Sequence, residues 1–132
     1  MNRRIIEARK IYSKAIEEFE RGMMYNDRII IRDSAEKAWL SAVKAIDALI
    51  DSEGYEIPFG AGAHEFRNTV LSNWGEEDTE IRRLYDDFIL IRERLHGNCF
   101  YYGICHKNQT EEEINKVKGF IDKIENILDG GR

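Results

Sequence analysis

Apolar residues recur every three or four positions along most of the chain, which is the spacing of one face of an α-helix. In the first such segment, about residues 3–24, this face carries small or apolar residues: Ile5, Ala8, Tyr12, Ala15, Phe19 and Gly22. No segment alternates apolar and polar residues as a half-buried strand would. The pattern therefore predicts an all-α protein.

The second helix is predicted to follow the turn Tyr25-Asn26-Asp27, with Asp27 as its N-cap, and to run to about Asp51. It carries one stripe rich in alanine and a second stripe of larger apolar residues. A helix that is apolar on two sides needs neighbours on both, so helix 2 should be central. The stripes are Ala35, Ala38, Ala42, Ala45 and Leu49, and Trp39, Val43, Ile46 and Ile50.

Three further helices are predicted after a segment that Gly54, Pro58, Gly60 and Gly62 interrupt. Helix 3 should cover about residues 63–74, and helix 4 about residues 77–96. Helix 5 should open with Thr110-Glu111-Glu112-Glu113, which has the form of a capping box. Five helices with short connections favour a single domain over residues 1–132, folded as an antiparallel, up-and-down bundle.

Composition limits the function. With 42% hydrophobic and 34% charged residues, the chain is typical of a folded domain, whereas its net charge of −5 disfavours a broad nucleic-acid-binding face. We expect a cytoplasmic protein without a membrane segment, because no apolar run approaches the ~20 residues that span a bilayer and the N-terminal segment lacks the apolar core of a secretory signal. High charge and a single glutamine point to a thermophilic source.

The stretch R-E-R-L-H-G-N-C-F-Y-Y-G-I-C-H, residues 92–106, holds the candidate chemistry. Arg92 and His96 are four residues apart, so on a helix their side chains share a face. The imidazole could exchange a proton with a ribose hydroxyl, and the guanidinium could bind phosphate oxygens in the transition state. Asn98 could add a donor. Together with Tyr101, these are the candidate catalytic residues, and their chemistry would need no metal or other cofactor.

The same residues also allow two structural interpretations. In the first, Arg92 forms an ion pair with Glu93 or Asp87, and His96 caps the end of helix 4. In the second, helix 4 ends near Gly97, and the aromatic residues at positions 100–102 fold over the end of the bundle, where the tyrosine hydroxyls bond free helix-end carbonyls.

The two cysteines leave three alternatives. His96, Cys99, Cys105 and His106 are a valid zinc ligand set, but all four fall within eleven residues, which is too crowded for two ligand pairs from separate elements. A Cys99–Cys105 disulfide is the second alternative. In an intracellular protein, free and partly buried thiols are the default, and we expect these, with no bound metal.

Two segments resemble a known family. Residues 33–46, D-S-A-E-K-A-W-L-S-A-V-K-A-I, resemble the second-helix signature of the archaeal PaREP family of small helical proteins. Residues 94–103, R-L-H-G-N-C-F-Y-Y-G, are similar to the Leu-His-x-x-Phe-Tyr-x-Gly element of that family. The family is in turn similar to the HEPN superfamily (higher eukaryotes and prokaryotes nucleotide-binding), whose members are up-and-down bundles and often dimers.

This resemblance implies two functions. Many HEPN proteins are metal-independent endoribonucleases, and others are noncatalytic partners of nucleotidyltransferases. The active branch has four to six residues between its arginine and histidine, whereas Arg92 and His96 are separated by three. We therefore expect a noncatalytic, homodimeric module that binds a nucleotide or a cognate protein, and an endoribonuclease acting on RNA through Arg92 and His96 is the alternative.

Overall fold

The computed structural model describes residues 2–130. It contains five α-helices and, in this range, no strand, which confirms the all-α prediction. The helices are α1 (Arg3–Met24), α2 (Arg28–Ser52), α3 (Ala63–Gly75), α4 (Thr79–Ile91) and α5 (Lys107–Leu128), and α4 continues directly into a π-helix, Arg92–Tyr101. No helix in the described range has both the length and the apolar character needed to cross a membrane.

Short polar side chains start three of these helices. The side chain of Asp27 accepts hydrogen bonds from the backbone N–H groups of Ile29 and Ile30, as its position in the sequence predicts. Asn2 does the same for α1, and Asp78 for α4. Each cap satisfies N–H groups that have no partner within the helix, which fixes the residue at which the helix begins.

Helix α2 is central, as its two apolar stripes predict. It packs against α1, α3, α4, α5 and the π-helix. Its alanine stripe is fully buried, and Trp39, Ile46 and Ile50 on the other stripe are buried as well. The other helices contribute their predicted apolar faces to the same core, including Ile81, Leu84, Phe88, Ile91 and Leu95 from α4 and the π-helix.

Helices α1 and α2 form the most extensive helix pair, and small residues on both make it possible. Gly22 of α1 lies so close to α2 that a Cβ atom at this position would be 2.8 Å from Cγ1 and 3.0 Å from the backbone nitrogen of Ile31. Even alanine would therefore force the two helices apart at this point.

The predicted capping box of helix 5 is wrong. Helix α5 begins at Lys107, and Thr110 and Glu113 are buried within it. The carboxylate of Glu113 instead binds Nη1 of Arg94 at 2.8 Å. A buried carboxylate requires a charged partner, and this tertiary pairing overrides the local capping pattern.

The alanine stripe should not tolerate a larger side chain. We expect Ala42→Leu to lower the free energy of unfolding by about 1–3 kcal/mol, because Ala42 is fully buried and the added atoms would overpack the core. Urea denaturation would measure the change. Asp33→Leu adds the same side chain at an exposed position of α2 and serves as the control. Equal stability of the Ala42→Leu protein and the wild type would contradict the packing described here.

Candidate functional site

The π-helix sets the direction of the candidate catalytic side chains. Sequence analysis predicted an ordinary helix ending near residue 96, but the chain continues to Tyr101 with a wider turn, in which hydrogen bonds join residues five apart. The buried residues Ile91, Leu95 and Cys99 are spaced by four and four, which suits a turn of more than 3.6 residues. Within this wider turn, Arg92 and His96 remain on similar sides.

His96 is held against α2. Its Nδ1 atom lies 2.7 Å from Oε1 of Glu36. Its ring packs between two aromatic rings, with its centroid 5.9 Å from that of Trp39 and 6.1 Å from that of Phe100. Since the Nδ1–H group donates to the carboxylate, Nε2 is the ring nitrogen left to act on a ligand. The predicted role of His96 as a helix cap is therefore wrong.

Arg92 is exposed, and its guanidinium makes no hydrogen bond or ion pair within residues 2–130. The structural interpretation, in which Arg92 pairs with Glu93 or Asp87, is therefore wrong as well. Arg94, two residues further on, instead binds the buried Glu113. The stretch thus contains one arginine that supports the fold and one that faces solvent.

A third histidine, which sequence analysis did not single out, completes the site. His64 in the first turn of α3 has its Nε2 atom 3.2 Å from Nδ2 of Asn68, while Nδ1 of His64 and Oδ1 of Asn68 are buried without a hydrogen-bond partner in the described part of the chain. Burial lowers the pKa of His64, and the charges of Arg92, Arg67 and His96 lower it further. His64 therefore lies within electrostatic reach of both predicted residues.

We refer to Glu36, His64, Asn68, Arg92 and His96 as the polar cluster. It also has a supporting ion pair at its edge, in which Arg67 binds both carboxylate oxygens of Asp47, at 2.6 and 3.0 Å. The spacing of His64, Arg67 and Asn68 by three and four residues on one helix is the signal that could have identified this side of the site.

Arg32 fixes the far end of the π-helix to α2. Its Nε and Nη2 atoms donate to the carbonyl oxygen of Phe100, at 3.0 and 2.7 Å. Nη2 also lies 3.4 Å from the carbonyl oxygen of Tyr101. Together with the Glu36–His96 contact, these bonds hold the π-helix against α2 at two places.

Asn98 and Tyr101 do not belong to the polar cluster, although they were predicted as catalytic residues. The carbonyl of Asn98 accepts from the backbone N–H of Ile104 at 2.7 Å, and its side chain makes no hydrogen bond within residues 2–130. Tyr101 and Tyr102 are 69% and 68% exposed, and their rings contact each other with centroids 5.0 Å apart. The prediction that these tyrosines cover the end of the bundle is wrong, because their rings project into solvent while the backbone is held by Arg32.

The cysteines form a Cys99–Cys105 disulfide, so the expectation of free thiols is wrong. The turn after the π-helix brings their Cα atoms to 4.3 Å, close enough for the bond. Within the described residues, no group of three or more His, Cys, Asp or Glu side chains is arranged to hold a metal ion. Of the candidate zinc ligands, the two sulfurs are bonded to each other and His96 is engaged with Glu36.

Comparison with protein-family models, with curated proteins and with solved structures finds no match to this chain.

Proposed function

We propose that this protein is a HEPN-like, up-and-down helical module that binds the phosphate group of a nucleotide at the polar cluster. The observation that carries the proposal is the guanidinium of Arg92, which is exposed, has no partner among the described residues, and acts through its charge on His64. A guanidinium offers phosphate oxygens two parallel hydrogen bonds. The family resemblance supports the same ligand class.

The electrostatics of the cluster favour an anion. Arg92, Arg67 and His96 each lower the pKa of His64, so the potential at this ring is positive. Two carboxylates that contact this region are already engaged, Glu36 with His96 and Asp47 with Arg67. A phosphate that enters the cluster would be attracted to Arg92 without displacing an existing partner.

Binding can be measured with a deoxyribose dinucleotide, which lacks a 2′-hydroxyl and keeps one phosphodiester charge between pH 5 and 8. We expect Arg92→Ala to weaken its binding by about 10-fold or more in calorimetry, because a charged hydrogen-bond donor is lost. Arg83→Ala, an exposed arginine on α4, removes the same charge and should bind normally. Equal weakening in both variants would mean that only the net charge matters, and would contradict the proposal.

The pH dependence gives a second readout in the same experiment. The pKa of free His64 is lowered, and a bound anion should raise it again because the charged imidazole gains an opposite charge. The complex then takes up a proton, so affinity should increase as the pH falls through the pKa that His64 has in the complex. His64→Gln should remove this component.

Metal-independent RNA cleavage is the second candidate function, and one observation favours it. Glu36 holds Nδ1 of His96, which leaves Nε2 as the proton acceptor, as in catalytic sites where a carboxylate orients the base. Nε2 would take the proton of a ribose 2′-hydroxyl as that oxygen attacks phosphorus, the bond to the 5′-oxygen would break, and the leaving oxygen would take a proton from water. Arg92 would stabilise the charge on the phosphate.

Single-stranded RNA labelled at one end and incubated in EDTA would test this candidate. If the chain is a ribonuclease, His96→Ala should reduce cleavage by about 10²–10⁴-fold, because proton transfer is lost, and Arg92→Lys should also reduce it. His106→Ala changes an exposed histidine outside the cluster and is the matched control. Absence of cleavage by the wild type, or full activity of His96→Ala, would exclude catalysis and leave the binding proposal standing.

We further propose that the module works as a homodimer. Exposed apolar side chains occur in two segments that lie side by side, since Nζ of Lys107 binds Oδ1 of Asn26 at 2.6 Å. These residues are Met24, Tyr25 and Ile29 around the turn between α1 and α2, and Tyr101, Tyr102 and Ile104 after the π-helix. In a dimer with a twofold axis near this surface, each copy would bury the apolar surface of the other. A cognate protein is the alternative occupant.

Light scattering at micromolar concentration should return twice the chain mass of 15.5 kDa. Ile29→Glu should give the monomer mass, because Ile29 is 70% exposed and a charge there would be desolvated in the interface. Ile89→Glu places the same charge on an exposed apolar position of α4 and should remain dimeric. A wild type of monomer mass would contradict the dimer and would leave the nucleotide site untouched.

A further inference from the structure

A cavity of about 510 Å³ lies between the end of α2 and helix α3. Its volume is within the range of small-molecule sites. Glu53, on its rim, is seventeen residues from Glu36 along the direction of α2, a separation of about 25 Å. The cavity is therefore distinct from the polar cluster and goes beyond the function proposed for it.

Three aromatic side chains, Tyr55, Phe66 and Trp74, line this cavity. The rings of Tyr55 and Phe66 meet edge to face, with centroids 6.2 Å apart and planes at 74°. Val70 adds an apolar side chain to the lining. Aromatic faces carry partial negative charge, so walls of this kind attract organic cations as well as alkyl chains.

The polar groups of the cavity offer hydrogen-bond acceptors, and its charged groups are all negative. The carboxylates of Glu53 and Glu77 lie on the rim, and neither makes an ion pair or hydrogen bond within residues 2–130. Thr69 and Asn73 add a hydroxyl and an amide oxygen. The lining contains no lysine, arginine or histidine. An anionic ligand would therefore be repelled. A cationic ligand would be attracted to two carboxylates that have no cationic partner among the described residues.

The chemistry of the walls selects among cations. Hard metal ions take six to eight oxygen ligands, which two carboxylates beside aromatic rings do not supply. An alkylammonium ion suits both parts of the cavity, because its methylene groups pack on the rings and its N–H groups donate to the glutamates. Since the two glutamates follow different helices, a chain with more than one ammonium group can use both.

We propose that this cavity, lined by Tyr55, Phe66, Trp74, Glu53 and Glu77, binds an aliphatic diamine or polyamine. The ligand lies with its methylene chain against the aromatic rings and its ammonium groups at the two carboxylates. The acidic net charge of the chain, −5, adds long-range attraction for such a cation.

Titration of the ¹⁵N-labelled protein with spermidine at fixed ionic strength tests the proposal. The indole N–H signal of Trp74 should shift, whereas that of Trp39, which lies beside His96, should not. Glu53→Gln and Glu77→Gln should each weaken binding by about threefold, and the double variant by about tenfold, as expected for solvent-exposed charge pairs. Tyr55→Leu should weaken it by about threefold through loss of the cation–π contact.

Three controls decide between specific and diffuse binding. Glu56→Gln removes one exposed charge from the same loop outside the cavity and should bind like the wild type. Butane-1,4-diol, a neutral chain of similar length to a diamine, should not bind. Tetramethylammonium, which has no N–H donor, should bind more weakly than spermidine. Equal weakening in Glu56→Gln, diol binding at similar affinity, or tighter binding of tetramethylammonium would each overturn the proposal.

Discussion

The close contact between α1 and α2 is the constraint on which the rest of the structure depends. Gly22 leaves no room for a side chain against Ile31, and the alanine stripe of α2 is buried along its length. Because α1 takes up so little space on this side, α2 can present its remaining surface to α3, α4, α5 and the π-helix. Glu36, the residue that α2 contributes to the polar cluster, lies on that remaining surface and contacts His96 of the π-helix.

The fold was largely predictable from the sequence, because the buried face of a helix requires apolar residues every three or four positions. The stripes of α1 and α2 identify the buried faces correctly, and Asp27 is the N-cap. The capping box at Thr110 failed because a local pattern cannot reveal that Glu113 is needed by Arg94, nineteen residues away. The π-helix was not predicted because the four-residue spacing of Leu95 and Cys99 is equally compatible with an ordinary α-helix.

The sequence predicts only part of the candidate site. Arg92 and His96 were recognisable because they are neighbours in sequence and on one helix. Glu36 and His64 were not, because their contacts with this pair join separate helices, and His96 and Glu36 are sixty residues apart. Free thiols are the ordinary expectation for an intracellular chain, but the compartment carries no information about how close the turn brings the two sulfurs.

The hydrogen bonds from Arg32 to the π-helix, which we call the clamp, restrict the amino acid at position 32 but not those at the positions that accept them. Arg32 donates to the carbonyl oxygens of Phe100 and Tyr101, which every amino acid possesses. The clamp therefore requires arginine at position 32, since its fork of N–H groups has no equivalent in lysine, and leaves the side chain at position 101 open. Homologous chains should accordingly keep the arginine at position 32, whereas the amino acid at position 101 should vary. Such positions offer a route by which ligand or partner preference can diverge without loss of the fold.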